Sequence, residues 1–340
     1  MRTMDQELDM LEQRPHLVIL GAGATKATIP TGDKNGYKTS VMDNFLEELQ
    51  LTDVLTDVKL ETRSRNIEDI YSELYERKDC NDVRSILEKK IRNYFEVLQL
   101  PDEPTIYDYL ILSLRSKDCI TSFNWDGLLI QAYNRIRKIT KDLPELAFLH
   151  GCVEVGICMP CKRFAPLRNR VCPCCKQPLA PVPILFPVKN KDYTSNIFIK
   201  QQWNVFSDYI SKAGLVTIFG YSAPKTDVEA VNILKSEFSN TNRFLDNFEV
   251  IDKADRNLIK DRWSYFAERT NWHIDVHETF FESILSEYPR RSMEGYVKRN
   301  LRGWWGECSI KYTNNMTFDE LQKLVEPLLK NERLDDFSVL

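Results

Sequence analysis

The sequence predicts an α/β fold: a parallel sheet with helices on both faces. Short apolar runs such as HLVIL at His16–Leu20 and LVTIF at Leu215–Phe219 end in glycine turns and recur between segments whose apolar residues fall three or four apart. These runs are apolar throughout rather than alternating, as strands covered on both faces are. Two C-x-x-C pairs in mid-chain add a small module to that frame. At 340 residues the chain has room for about two units, or for one large α/β unit carrying insertions.

Hydrophobic residues make up 43% and charged residues 28%, ordinary for a globular chain, which argues against disorder and collagen-like architecture. The 46 Lys and Arg against 50 Asp and Glu leave a net charge of -4. No global field draws nucleic acid or an anionic membrane, so neither is an expected partner. No apolar run approaches the ~20 residues that span a bilayer. The opening MRTMDQELDMLEQRP is acidic and lacks the apolar core of a secretory signal. Of nine cysteines, an odd count, five fall between Cys158 and Cys175. Without an export signal, that pattern favours a metal knuckle in a reducing compartment, hence an expected cytoplasmic location.

In order along the chain, an amphipathic start leads to the strand His16–Leu20 and a tight Gly-Ala-Gly turn. TIPTGDKNGYKTS has the Pro, Gly, Asp and Asn of an irregular loop. VMDNFLEELQ, IEDIYSELYERK and VRSILEKKIRNYFEVL have helical spacing, and a further helix is expected around Ile106 to Leu114. Then come a strand Cys119 to Phe123, a helix from Asp126 to about Ile139 and a strand ending at Leu149. Past the cysteines follow a helix around Ser195 to Ser211, a strand Leu215 to Phe219, a helix Asp227 to Phe238 and a strand Phe248 to Ile251. One helix around Leu258 to Arg269, a strand around Trp272 to Val276 and a closing helix Phe318 to Leu329 before an acidic tail complete the chain. The expected division is a core of residues 16–40 and 116–285, a helical insertion 41–115, a metal module 152–180 and a C-terminal helical segment 286–340.

Five motifs carry candidate chemistry. Gly21-Ala22-Gly23-Ala24-Thr25 follows a strand, where glycines turn the chain sharply and bring N–H groups close to a phosphate. Lys26 stands where G-x-G-x-x-G needs its third glycine, so the pentad alone also suits any strand-to-loop turn. Thr121-Ser122-Phe123-Asn124-Trp125-Asp126 ends a strand, where open α/β sheets bind ligands. Asn124 and Asp126 suit a ribose or an amide there, while Asp126 equally suits a helix N-cap and Asn124 a turn. His150, in Leu149-His150-Gly151, is a candidate general base because an unperturbed imidazole titrates near neutrality. His16 begins a strand and is read as structural, and His273 and His277 as non-ligands.

Cys158-Met159-Pro160-Cys161 and Cys172-Pro173-Cys174-Cys175 are separated by ten residues. Four thiolates so spaced bind Zn²⁺ as a closed structural site. Redox chemistry needs only one pair, and knuckle spacing prefers Cys175 to Cys174 as the fourth ligand. The fifth motif, Gly220-Tyr221-Ser222-Ala223-Pro224-Lys225-Thr226-Asp227, follows a strand and either cradles a ribose or phosphate or merely connects to a helix that Asp227 caps. Asp252, after the next strand, suits ribose hydroxyls.

Taken in order, these motifs resemble the sirtuins and their bacterial sirtuin-like relatives, over roughly Leu17 to Asp252. The resemblance implies a Rossmann-like domain binding NAD⁺ and a structural zinc module on Cys158, Cys161, Cys172 and Cys175. Carried over by motif, Gly21, Ala22, Gly23 and Thr25 line the cofactor. Asn124 and Asp126 sit beside the nicotinamide ribose, His150 is the base, and Gly220 and Ser222 face the adenosine half with Asp227 and Asp252. Asn124 and His150 are the expected catalytic pair. Sirtuin deacylases carry GIPDFR after the glycine turn and a Phe-Gly-Glu segment after the cysteines; TIPTGDKNGYK and VPILFPVKNKD stand here. These departures point to the sirtuin-like NAD⁺ hydrolases of bacterial antiviral systems. The expectation is a gated enzyme releasing nicotinamide and ADP-ribose, as a homo-oligomer or with a separate defence partner. A protein deacylase and a non-catalytic NAD⁺ or ADP-ribose sensor are the alternatives.

Overall fold

The computed structural model describes residues 3–41, 45–187, 196–223, 227–239, 247–269, 274–304 and 310–333. Its centre is a six-stranded sheet built from β1 (His16–Leu20), β2 (Cys119–Ser122), β3 (Glu145–Phe148), β7 (Leu215–Phe219), β8 (Asn247–Ile251) and β9 (Ile274–His277). The three strands between β3 and β7 in the chain form a separate small sheet: β4 (Val155–Cys158), β5 (Arg163–Pro166) and β6 (Ala180–Pro181). The large sheet runs β3-β2-β1-β7-β8-β9, and every neighbouring pair is parallel. This is the doubly wound, Rossmann-like order. The chain moves outward in one direction from β1 and in the other from β7, so a crevice opens between the carboxyl ends of those two strands.

The apolar runs explain the middle of the sheet. Leu17, Val18, Ile19 and Leu20 of β1 are all fully enclosed, which requires cover on both faces. Each such side chain contributes on the order of 1.5–3 kcal/mol by leaving water. The helices between β1 and β2, chiefly Ile67–Glu76, Asn81–Glu96 and Ile106–Leu112, bury Tyr71, Leu74, Leu87, Ile91, Phe95 and Leu110. These residues form one continuous core with the strands, so the region expected as an insertion is packed into the sheet's own core.

Several expectations are corrected. A helix, Ala22–Thr28, starts within the glycine turn and ends on Thr28, the first residue of the expected loop. The expected helix Leu258 to Arg269 is two helices, Arg256–Arg262 and Ser264–Arg269, broken at the buried Trp263. Of VMDNFLEELQ only Phe45–Glu48 is helical, with residues 42–44 outside the description. The last strand is described over Ile274–His277; residues 270–273, Trp272 and His273 among them, and the acidic tail from residue 334 lie outside the described residues. No described helix is long and apolar enough to cross a membrane.

Candidate active site and metal centre

The crevice floor is made of glycine. Gly21 ends β1 and Gly220 ends β7. The Gly21 N–H donates to the Phe219 carbonyl (3.0 Å) and the Gly23 N–H to the Gly220 carbonyl (2.9 Å). A Cβ on Gly21 would lie 2.5 Å from the Gly220 carbonyl oxygen, and one on Gly220 would lie 2.3 Å from the Ala24 nitrogen. Gly220 also has φ +60, which side chains rarely adopt. The glycines thus let the β1 and β7 crossovers touch backbone to backbone. Two of the N–H groups expected to face a phosphate are bonded within the chain instead.

Above this floor stands a buried polar cluster. Asn124, after β2, donates through Nδ2 to the Gly21 carbonyl (2.8 Å) and to Thr25 Oγ1 (2.9 Å), with the Tyr107 hydroxyl at 3.2 Å. A carbonyl only accepts, so the Gly21 contact fixes which amide atom is nitrogen. Among the described residues no hydrogen bond is made to Asn124 Oδ1. Thr25 Oγ1 donates to Asp126 Oδ2 (2.8 Å), and Asp126 Oδ1 accepts the Leu128 N–H (3.0 Å) at the start of the helix Leu128–Ile136. The N-cap of this helix is Gly127 rather than the expected Asp126, which stands one residue earlier and braces the helix start while joining the cluster. Burial pushes its carboxyl above the usual carboxylate range, opposed by the Thr25 hydroxyl and the Leu128 N–H.

His150, after β3, is 5% exposed and places Nε2 3.8 Å from Asp227 Oδ1. Asp227 Oδ2 accepts the Tyr221 hydroxyl (3.0 Å); the Tyr221 ring stacks on Phe123 (4.2 Å), and Phe123 meets the His150 ring edge-on (4.8 Å). β3 and β7 are three places apart, about 14 Å at the usual strand spacing. Their loops therefore fold toward each other over the ends of β2 and β1. Asp227, expected among the cofactor-binding residues, stands beside the histidine. Ser222 is exposed on the rim. Asp252 stands apart from the cluster: its Oδ1 accepts the Ala254 N–H (2.9 Å) and its N–H donates to the His277 carbonyl (3.0 Å). Sequence reasoning missed Tyr107, because a tyrosine at helical spacing among apolar residues has the pattern of a core aromatic.

The cysteines gather on the small sheet. The Sγ atoms of Cys158, Cys161, Cys172 and Cys175 all lie within 4.8 Å of one another, while Cys174 is exposed outside the set. A tetrahedral Zn–S site has sulfur–sulfur edges of about 3.8 Å, and Cys158 and Cys175 are already at 3.3 Å. The residue after each pair, Lys162 and Lys176, has positive φ (50 and 61), so the two knuckles turn alike. The four residues fit a closed structural zinc site, with Cys175 rather than Cys174 as the fourth ligand.

No family model and no curated protein sequence matches the chain. Among solved structures it is similar to a Sir2 homologue–NAD complex, at 13% identity over 88% of this chain and 95% of that one, with a TM-score of 0.43. It is similar also to a structure solved for the mechanism and regulation of Sir2 enzymes, at 11% identity over 86% and 97% of the two chains, TM-score 0.42. A third is a Sir2 homologue mutant in complex with ADP-ribose, at 12% identity over 89% and 100%, TM-score 0.41.

Proposed function

We propose that the chain is an NAD⁺ glycohydrolase that cleaves the nicotinamide–ribose bond to give nicotinamide and ADP-ribose. The observation that carries this reading is the buried Asn124 amide at the switch point, held through its nitrogen so that Oδ1 is left to accept, with His150 on the neighbouring loop. Breaking this bond gives an oxocarbenium-like ribose and a neutral leaving group, so no strong acid is required. The protein has to hold the ribose, stabilise the developing cation and admit a water. In this reading Asn124 Oδ1 accepts from the ribose hydroxyl or the water, and His150 takes the proton. Gly21, Ala22, Gly23, Thr25, Asp126, Gly220, Ser222 and Asp252 surround the dinucleotide, and Asp227 stands behind the base. The zinc, when bound, holds the small sheet together and takes no part in bond breaking.

Hydrolysis is favoured over acyl transfer by the segment after the cysteines. Leu185 N–H donates to the His150 carbonyl (2.9 Å), Arg92 Nη2 donates to the Val182 carbonyl (2.7 Å), and Phe186 stacks on Tyr71 at 5.2 Å. Residues 182–186 are thereby fastened to the catalytic turn and to the helices between β1 and β2, where deacylases carry Phe-Gly-Glu. An unrestrained NAD⁺ hydrolase would exhaust its own cell, so activity in this reading is gated by self-association or by a partner, as in bacterial antiviral defence in the cytoplasm.

The test is to follow NAD⁺ by NMR with and without an acetyl-lysine peptide, beside Asn124→Ala and His150→Ala. Peptide-independent nicotinamide and ADP-ribose, reduced at least about a hundredfold in each variant, is the expected result. Release that requires the peptide and yields acetyl-ADP-ribose would replace this reading with protein deacylation. NAD⁺ binding without turnover at any protein concentration would replace it with a sensor.

A further inference from the structure

We propose that Tyr107 is a positioning residue for the Asn124 amide, an inference that rests on the site described above and, for its kinetic consequence, on the hydrolase reading. Tyr107 belongs to the helix Ile106–Leu112, which precedes β2, and its ring is 1% exposed. Its hydroxyl lies 2.8 Å from Thr25 Oγ1 and 3.2 Å from Asn124 Nδ2.

Counting protons fixes the direction of each bond. Asp126 Oδ2 takes the only hydroxyl proton of Thr25. Thr25 Oγ1 therefore accepts from both its other neighbours, the Asn124 N–H and the Tyr107 O–H. The oxygen is then saturated, with two hydrogen bonds accepted and one donated. One Asn124 N–H goes to the Gly21 carbonyl, and the other points between Thr25 Oγ1 and the Tyr107 oxygen. A rotation of the amide that brought Oδ1 inward would oppose it to the Gly21 carbonyl oxygen. The Tyr107 hydroxyl holds the second N–H side of the same lock.

The hydroxyl is itself held in place. Asp108 Oδ2 accepts from the backbone N–H and the hydroxyl of Thr105 (both 2.8 Å) at the helix start and pairs with Arg135 (3.4 Å) on the helix Leu128–Ile136. Next along, the Tyr109 hydroxyl accepts the Met316 N–H (2.8 Å), and its ring packs edge-on against Phe281 and Tyr312. A helix gripped on both sides carries the hydroxyl to the amide with little freedom, the condition for pre-organisation.

The experiment uses the full chain and Tyr107→Phe, which removes one oxygen and keeps the ring, with Tyr209→Phe, whose hydroxyl meets Glu145 at the start of β3, as control. Without NAD⁺, the side-chain ¹⁵N–¹H₂ pair of Asn124, assigned by its loss in Asn124→Asp, is expected to shift and to exchange faster with water in Tyr107→Phe only. With NAD⁺, kcat for nicotinamide release is expected to fall about three- to tenfold with KM unchanged, the size of one lost hydrogen bond. An Asn124 pair unmoved by Tyr107→Phe overturns the proposal whatever the activity. So does an active enzyme whose kcat is unchanged, or one whose KM alone rises. If the wild-type chain releases no nicotinamide while the amide pair still shifts, the hydrolase reading fails and the positioning role stands.

Discussion

His16 sits fully enclosed at the start of β1, with Nδ1 2.8 Å from Ser292 Oγ and Nε2 2.7 Å from Thr217 Oγ1. Thr217 donates its proton to Glu249 Oε2 (2.8 Å), so Nε2 of the neutral ring is the donor to Thr217 and Nδ1 accepts from Ser292. Burial, and then the positive charge of Lys117, draw the imidazole down to about 3. Its folded value thus lies below the ordinary value near 6.5, so the unfolded chain binds the extra proton. Stability from this residue is complete above pH ~6.5 and is lost as pH falls from there toward 3, by up to about 1.4 kcal/mol per unit. Urea unfolding of His16→Gln should show a lower midpoint at pH 7 but a shallower decline below pH 6.5 than the wild type; parallel declines would refute the assignment. Also at this scale, Gly21→Ala drives a methyl into the β7 crossover. It should lower stability by roughly 1–3 kcal/mol, read as a fall in melting temperature. Asn124, Asp126 and His150 stood out in the sequence through the order of the motifs that hold them, since each alone also suited a turn, a cap or a packing role. The role of Tyr107 was not legible, since its hydroxyl finds partners only once Thr25, on the helix after β1, and Asn124, on the turn after β2, close around it.

Among the elements, the cysteine module gives the sharpest prediction. Cys174→Ser should retain one zinc per chain by elemental analysis, and Cys175→Ser should lose it, because only Cys175 joins the cluster of four Sγ atoms. Zinc in both variants, or in neither, would contradict the ligand set. Chelation should loosen β4, β5 and β6 while the six-stranded sheet persists, visible as amide exchange confined to residues 155–181. Spacing brought out the cysteines and preferred Cys175 to Cys174 as the fourth ligand; the strands around them were not readable. β6 has two residues, and β4 and β5 four each, too few for a period to emerge. The broken helix at Trp263 has a different cause. Its indole packs against Phe248 and Phe266 at centroid distances of 5.7 and 5.6 Å, and that burial overrides a continuous helical pattern.

Across the whole molecule, the amino ends of the strands are bound together by buried charge. Arg115, just before β2, pairs with Glu294 on the helix Ser292–Tyr296, and Lys117 donates to the carbonyls of Glu12 and Arg14 (2.9 and 3.0 Å). Glu294 is 3% exposed, so Glu294→Ala leaves the Arg115 charge without its carboxylate in a dry setting. That loss should cost about 3–5 kcal/mol, measured by chemical unfolding. A cost under 1 kcal/mol would show that water reaches the pair. These contacts join residues more than a hundred positions apart, and a sequence presents Arg115, Lys117 and Glu294 as ordinary surface charges. The sheet itself was legible because strands buried on both faces leave little choice of side chain. The three glycines under the crevice have a consequence for inheritance. Gly23 and Gly220 each occupy the space the other's side chain would need, so neither site is free to drift alone. On the proposed function, a descendant that abandoned the chemistry would lose the catalytic constraint on Asn124 and His150, yet would keep both glycines. In a lineage, the floor of the crevice should outlive the reaction proposed for the cluster above it.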